Sequence, residues 1–207
     1  SDLISICVPV YNAEKTIESA LQSVINQSYR YLEIIVVDNA STDGTLGIMQ
    51  GFKDSRMTIY RNDTNIGAEK NWNRCLDLAS GEYIAIFHAD DIYLPSMVEK
   101  QVHAFQRNPS IAAVFTQATR INERGEVIGR TKLPAKLRGK AVYHLPEVFI
   151  QILEKGNFLY CPSCMVRGKL YKELAPFDFD RFGTSADLDM WLRILERYPV
   201  AILEEEL

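Results

Sequence analysis

The chain has 207 residues, 47% hydrophobic and 24% charged, with a net charge of −4. That balance fits one globular domain with a sizeable core and leaves no general basic footprint for nucleic acid. No apolar run approaches the roughly 20 residues of a membrane-spanning helix, and the opening SDLISICVPV has neither a charged leader nor a cleavage pattern, so the chain reads as cytoplasmic.

Ile4 to Val10 reads as a strand, with Pro9 near its end, where a missing donor is tolerated. Glu14 to Asn26 places Ile17, Ala20, Leu21, Val24 and Ile25 on one helical stripe. Leu32 to Val37 is nearly all apolar, a strand buried on both faces that ends at Asp38. The polar turn NASTDG leads into a short helix, Thr45 to Lys53, and Met57 to Tyr60 is a third strand. Asn65-Ile-Gly67 makes a turn before a helix over Ala68 to Ala79. Tyr83 to Phe87 is a fourth buried strand and runs into His88-Ala89-Asp90-Asp91. After Pro95 a helix opens at Ser96, with Glu99 placed for a capping box, and continues to Arg107.

The second half is less regular. Ala112 to Ala118 is a strand, Asn122 to Gly125 a hairpin turn, and Val127-Ile128 a short returning strand. Pro146 to Glu154 is a helix, Cys164 to Val166 a strand, and Asp187 to Tyr198 a helix with Leu188, Trp191, Leu192 and Leu195 on one face. The closing VAILEEEL reads as a strand and the start of another element, so the natural protein is expected to continue past Leu207. The expected division is one domain over 1–207, with halves at 1–95 and 96–207.

Strands recurring about every 25 residues with helices between them imply a mainly parallel sheet sandwiched between helices. In such a sheet the segments leaving the strands' C-terminal ends share one edge, where open α/β sheets bind ligands. Pro9 to Asn12, Asp38 to Asp43, Asn62 to Gly67 and His88 to Asp91 are all polar and all lie there. Taken alone, Asp90-Asp91 reads equally as a solvated turn or as a divalent-cation site. Two adjacent carboxylates after a buried strand repel each other, and a hard cation offsets that cost. Convergence with the other polar exits favours the cation.

Cys7 and Cys75 read as core thiols. Cys161-Pro-Ser-Cys164 has the spacing of a redox motif or half a zinc site, but no second pair completes it. From Arg120 to Lys140 there are seven Lys or Arg against two Glu. This is either a solvated loop or a cationic flap facing an anionic substrate or a membrane surface. Neither a G-x-G-x-x-G after the first strand nor a G-x-x-x-x-G-K-[ST] occurs, which disfavours dinucleotide oxidoreductases and P-loop enzymes. There is no nucleophile elbow, and VPVYNAEK lacks the glycines of a nucleotidyltransferase loop.

VPVYNAEKTIESALQSVINQSY, IIVVDNASTDGT, NIGAEKNWN, SGEYIAIFHADD and SADLDMWLRI together resemble the successive signatures of glycosyltransferase family 2, in that family's order. The resemblance implies a GT-A fold and transfer of a sugar from a nucleotide diphosphate donor, with inversion and with Mn²⁺ or Mg²⁺. It implies a UDP-sugar donor, with dTDP- and GDP-sugars as rivals, and a saccharide or lipid-linked acceptor, as in bacterial-type polysaccharide or glycolipid synthesis at the inner face of a membrane. Asp38 matches the base-binding aspartate, whose carboxylate accepts uracil N3–H or guanine N1–H. Pro9, Val10 and Tyr11 would line the base, and Glu14 matches an acidic position near the ribose, though a first-turn helix charge explains it equally. Asp91 matches the metal ligand, Asp90 contacts sugar or metal-bound water, and His88 is a second candidate ligand. Asp187 matches the catalytic base; Asp189, two residues on, cannot share its helix face and is the rival. The chain departs from the family at His88, where Asp is common, at Ala186, where Glu is common, and at Asn39-Ala40, where Asp-Gly is commoner. Those departures motivate an alternative, a non-catalytic nucleotide-sugar or glycan-binding module.

Overall fold

Strands apolar on both faces can hide their surfaces only if helices cover both sides of the sheet they form. The computed structural model, which describes residues 2–207, has that arrangement. The strands are β1 (Ile4–Val10), β2 (Leu32–Asp38), β3 (Met57–Arg61), β4 (Tyr83–Ile86), β5 (Ala113–Gln117), β6 (Thr119–Ile121), β7 (Val127–Arg130), β8 (Met165–Arg167) and β9 (Val200–Glu206). The helices are α1 (Ile17–Ile25), α2 (Thr45–Gly51), α3 (Ala68–Leu78), α4 (Met97–Arg107), α5 (Leu145–Lys155), α6 (Gly168–Glu173), α7 (Phe179–Phe182) and α8 (Ala186–Leu195). Seven strands form one sheet in the order β3-β2-β1-β4-β8-β5-β9, while β6 and β7 make a separate hairpin.

β1 pairs in parallel with β2 and β4, and β2 with β3, so these four strands end on one edge, with Val10 opposite Asp38. β8 is inserted antiparallel between β4 and β5, and β9 returns parallel to β5. Alternate strand residues feed two cores. Cys7, Ile35 and Ile84 pack with Cys75 of α3, Val148 of α5 and Trp191 of α8; Ile6, Val36 and Ala85 pack with Leu21 of α1, Met49 of α2 and Val102 of α4. Both cores draw on both halves of the chain.

Local boundaries differ from the sequence reading where a side chain finds a distant partner. α1 starts at Ile17 because Glu14 is drawn away, its carboxylate accepting from the Gly44 amide at 2.9 Å. α4 has no capping box: Ser96 makes no side-chain cap bond, and the Glu99 carboxylate accepts instead from Ser28 Oγ at 2.9 Å.

Candidate active site

Asp38 closes β2 and is fully buried. Its Oδ1 accepts the Ser41 amide at 3.1 Å, and Arg61 Nε lies 3.2 Å from Oδ2, which has no hydrogen-bonded partner. Asp38 is thus wholly buried, and the Arg61 guanidinium beside it is half exposed. Above it Asn39 is satisfied on every side, donating to Asn65 Oδ1 (2.8 Å) and Gly67 O (3.2 Å) and accepting from Asn62 Nδ2 (2.7 Å) and the Ile66 amide (2.9 Å). Asn71 extends the network to Val37 O at 3.0 Å. These asparagines fix the 62–67 loop to the end of β2.

The first strand exit is built similarly. Val10 O accepts the Asn39 amide at 2.8 Å, Pro9 precedes it in β1, and the Tyr11 ring stands 47% exposed, free to pack on a planar ligand. Asn12 and Ala40 both have positive φ, 48° and 59°. Asn12 Oδ1 accepts the Thr42 amide at 2.9 Å, which holds the two turns together. Glu14, on Gly44, supports this turn.

At the end of β4 the ligand atoms of His88, Asp90 and Asp91 lie within 4.8 Å of one another. His88 Nδ1 is 3.8 Å from Asp91 Oδ2; its backbone N–H donates to Tyr93 Oη at 2.6 Å, and its Nε2 is buried without a hydrogen-bond partner. Trp72 packs on the imidazole at 5.2 Å between centroids, backed by Phe177 and Phe179. Burial lowers the His88 pKa and so favours neutral imidazole, the form that binds metals. Burial, then the neighbouring Asp90 charge, pushes Asp91 up to about 6. Two carboxylates and an imidazole with an orphaned nitrogen fit a hard or borderline divalent cation.

Asp187 lies in the first turn of α8, its Oδ1 accepting the Leu188 amide at 2.7 Å. Burial raises its pKa, and the Leu188 amide bonded to it pulls it partly back. Asp189 is occupied elsewhere. It accepts from Arg193 Nε at 2.8 Å, and that guanidinium donates to Ala175 O and Pro176 O. Cys161 and Cys164 are buried, with thiols pushed up by burial first and then by neighbouring charges, including Asp187; they are core residues.

A hollow of about 660 Å³ opens beside Asp90 and Asp91 and extends to the β6–β7 hairpin. Another, of about 620 Å³, lies against β3 and contains none of these residues. Of the basic run, Arg130, Lys136 and Lys140 pair with Glu206, Glu154 and Glu147. Arg120, Arg124, Lys132 and Arg138 make no ion pair among the described residues. Sequence reasoning missed Arg61, Trp72 and Tyr93. The NIGAEKNWN stretch carried a signal for Trp72, since an aromatic on the inner stripe of α3 must face the sheet; nothing local indicated Arg61.

Residues 5–174 match the Glycosyl transferase family 2 profile. An uncharacterised glycosyltransferase of Methanocaldococcus jannaschii is 32% identical over 208 residues, which cover 98% of this chain and 68% of that protein. The UDP-Glc:alpha-D-GlcNAc-diphosphoundecaprenol beta-1,3-glucosyltransferase WfgD of Escherichia coli is 34% identical over 194 residues, covering 94% of this chain and 70% of WfgD. Among solved structures, S. aureus TarS in complex with UDP superposes with a TM-score of 0.80 at 22% identity, over 99% of this chain and 58% of that one. The mannosyltransferase PcManGT from Pyrobaculum calidifontis, in complex with GDP-Man and Mn²⁺, gives 0.68 at 20% identity, over 99% and 55%. The chain thus spans about two thirds of the curated relatives' length and less of these solved chains.

Proposed function

The chain belongs to glycosyltransferase family 2 and has the GT-A fold, and from that premise we propose that it is an inverting, metal-dependent transferase using a nucleoside diphosphate sugar. A UDP-sugar is the first candidate, supported by the UDP-Glc in WfgD's name and by the UDP and UDP-GlcNAc held by TarS. The acceptor is a hydroxyl of a glycan or a lipid-linked saccharide. The observation that carries this reading is the His88–Asp90–Asp91 cluster at the sheet edge, whose ligand atoms lie within 4.8 Å of one another.

His88, Asp90 and Asp91 would hold Mn²⁺ or Mg²⁺, which when bound neutralises charge developing on the departing diphosphate. Pro9, Val10 and Tyr11 line the base. Glu14 supports the turn at Gly44 beneath the ribose, and Asp38 meets the base's N–H when Arg61 moves off it. Asp187 takes the proton of the acceptor hydroxyl as the acceptor oxygen bonds to the anomeric carbon from the face opposite the leaving group. The bond from that carbon to the diphosphate oxygen breaks with its electron pair, and the nucleoside diphosphate leaves. Burial suits Asp187 to this role, because a raised pKa makes it a better proton acceptor. None of the described helices is long and apolar enough to cross a membrane. Arg120, Arg124, Lys132 and Arg138 supply free positive charge for peripheral contact with an anionic lipid surface.

The test is a thermal-shift screen of UDP, dTDP and GDP with Mn²⁺, followed by turnover of Asp187→Asn. Nucleotide at about 100 times its dissociation constant should stabilise the fold by roughly 2.7 kcal/mol. Asp187→Asn should keep that shift and lose about 10²-fold or more in transfer. A chain unmoved by all three nucleotides has no donor site, and undiminished turnover of the variant removes Asp187 from the chemistry.

A further inference from the structure

An irregular segment ordinarily lies on the surface with water on its backbone groups, because no ladder partners them. Residues 175–180, which link α6 to α7, are instead tied by side chains from two helices. Glu69, Trp72 and Asn73 share one face of α3. The Glu69 carboxylate accepts the amides of Phe179 (2.6 Å) and Asp180 (3.3 Å). Asn73 pairs with Phe177 in both directions, donating to its carbonyl and accepting its amide at 3.2 Å each. From α8, Arg193 donates to Ala175 O (2.6 Å) and Pro176 O (3.2 Å), and its guanidinium is aimed by Asp189 at 2.8 Å. Phe177 packs on both tryptophans, 5.6 Å from Trp72 and 6.1 Å from Trp191.

This strap meets the candidate site at two points. Trp72, which packs on it, also packs on the His88 imidazole at 5.2 Å. Its chain runs on through α7 and the single turn Gly183–Ser185 into the first turn of α8, which carries Asp187. We propose that Glu69 and the Asp189–Arg193 pair are positioning residues for transfer: they clamp the strap between α3 and α8 and so fix Asp187 relative to His88, Asp90 and Asp91. The reaction half of this inference rests on the transferase reading; the clamp does not. It also gives Asp189 a task of its own, which is to aim the guanidinium that holds the helix bearing Asp187. A reacting group displaced by about 1 Å can cost roughly 10²-fold in rate. Loosening the strap should therefore be felt in turnover and not in donor binding.

The test compares Glu69→Ala, Glu69→Gln and Arg193→Ala with Glu154→Ala, which breaks the surface pair with Lys136 (3.0 Å). Each is followed below its melting temperature by peptide-level hydrogen exchange, by calorimetric UDP affinity, and by nucleotide release from UDP-glucose, UDP-GlcNAc and GDP-mannose with Mn²⁺ and water as acceptor. Glu69→Ala and Arg193→Ala should each speed exchange across residues 177–190 by about tenfold and leave β1 and β2 unchanged. Both should lower kcat by about tenfold or more while KM and UDP affinity stay within about twofold. Glu69→Gln should recover most of the rate, because its side-chain oxygen accepts the same two amides. Glu154→Ala should alter none of these. A lower melting temperature with kcat unchanged would reduce the strap to a structural part and overturn the proposal. So would a matching loss of UDP affinity, or Glu69→Gln as slow as Glu69→Ala. Unchanged exchange over 177–190 would overturn the clamp itself. A parent that neither releases nucleotide nor is stabilised by UDP, dTDP or GDP with Mn²⁺, while exchange responds as expected, would remove the transferase reading and its positioning half and leave the clamp standing.

Discussion

Ala40 sits at φ 59°, where an L side chain crowds its own backbone and only glycine is at ease. The turn is nevertheless held in that shape, because Asn39 is bonded on every side and Ser41 donates to Asp38. Left-handed geometry costs Ala about 1–2 kcal/mol, and glycine returns part of that as lost chain entropy. Ala40→Gly should therefore stabilise the protein by about 0.5–1 kcal/mol in urea unfolding. Asp91 gives a pH-dependent counterpart. Its pKa is about 6 in the fold, above its ordinary 3.8, so between those values the native state holds a proton that the unfolded chain has lost. Stability from this residue is thus full below about pH 4 and falls as pH rises through 6. The full shift would be worth roughly 3 kcal/mol in a dry site, but Asp91 is 45% exposed and screening reduces this to about 1 kcal/mol. Asp91→Asn should raise the metal-free melting temperature at pH 7 by about 2–4 °C and abolish any further rise with Mn²⁺. Equal melting of variant and parent at pH 7, with the Mn²⁺ response intact, would place the charge elsewhere.

The joint between the parallel and antiparallel parts of the sheet depends on two glycines. Gly168, leaving β8, donates its amide to Glu82 O at 2.8 Å, and a Cβ there would lie 2.5 Å from Gly81 O and 3.3 Å from Ile84. Neither backbone can retreat without opening the β4–β8 pairing, so Gly168→Ala should cost about 2 kcal/mol, a fall of roughly 4–8 °C in melting temperature. An unchanged melting temperature would mean that β8 sits looser than it is drawn. This joint also divides what could be read in the sequence from what could not. β1, β2 and β4 were legible because each is a run of buried apolar residues, and β3, only partly buried, because it falls at the same helical interval. β8 is three residues long, and its reversed direction comes from pairing with strands some 50 and 80 residues away. No local periodicity encodes that. The site divides similarly: Asp90, Asp91 and Asp187 stood out as charges at strand and helix ends, whereas the cover of Arg61 over Asp38 depends on how β3 lies beside β2.

At the scale of the molecule, the expected division at residue 95 falls within a single sheet. β4 belongs to the first segment and β8 to the second, yet they are hydrogen-bonded neighbours, and each core mixes residues from both. A cut between them would expose β4 along one edge and open both cores, so neither segment has a separate free energy to lose. The two tryptophans report on the two segments. Trp72 on α3 contacts His88, and Trp191 on α8 is buried against Phe115 and Phe177. In Trp72→Phe and in Trp191→Phe, the fluorescence of the remaining tryptophan and far-UV circular dichroism should share one urea midpoint, although the two variants differ in stability. The stronger form of the test adds UDP and Mn²⁺ to Trp72→Phe. Ligand held at the ends of β1, β2 and β4 should then raise the Trp191 midpoint as much as the circular dichroism midpoint, because linkage acts on the whole cooperative unit. A Trp191 transition that stays behind while the dichroism moves would mean that the 96–207 segment unfolds on its own, and the shared cores would not be the source of the fold's cooperativity.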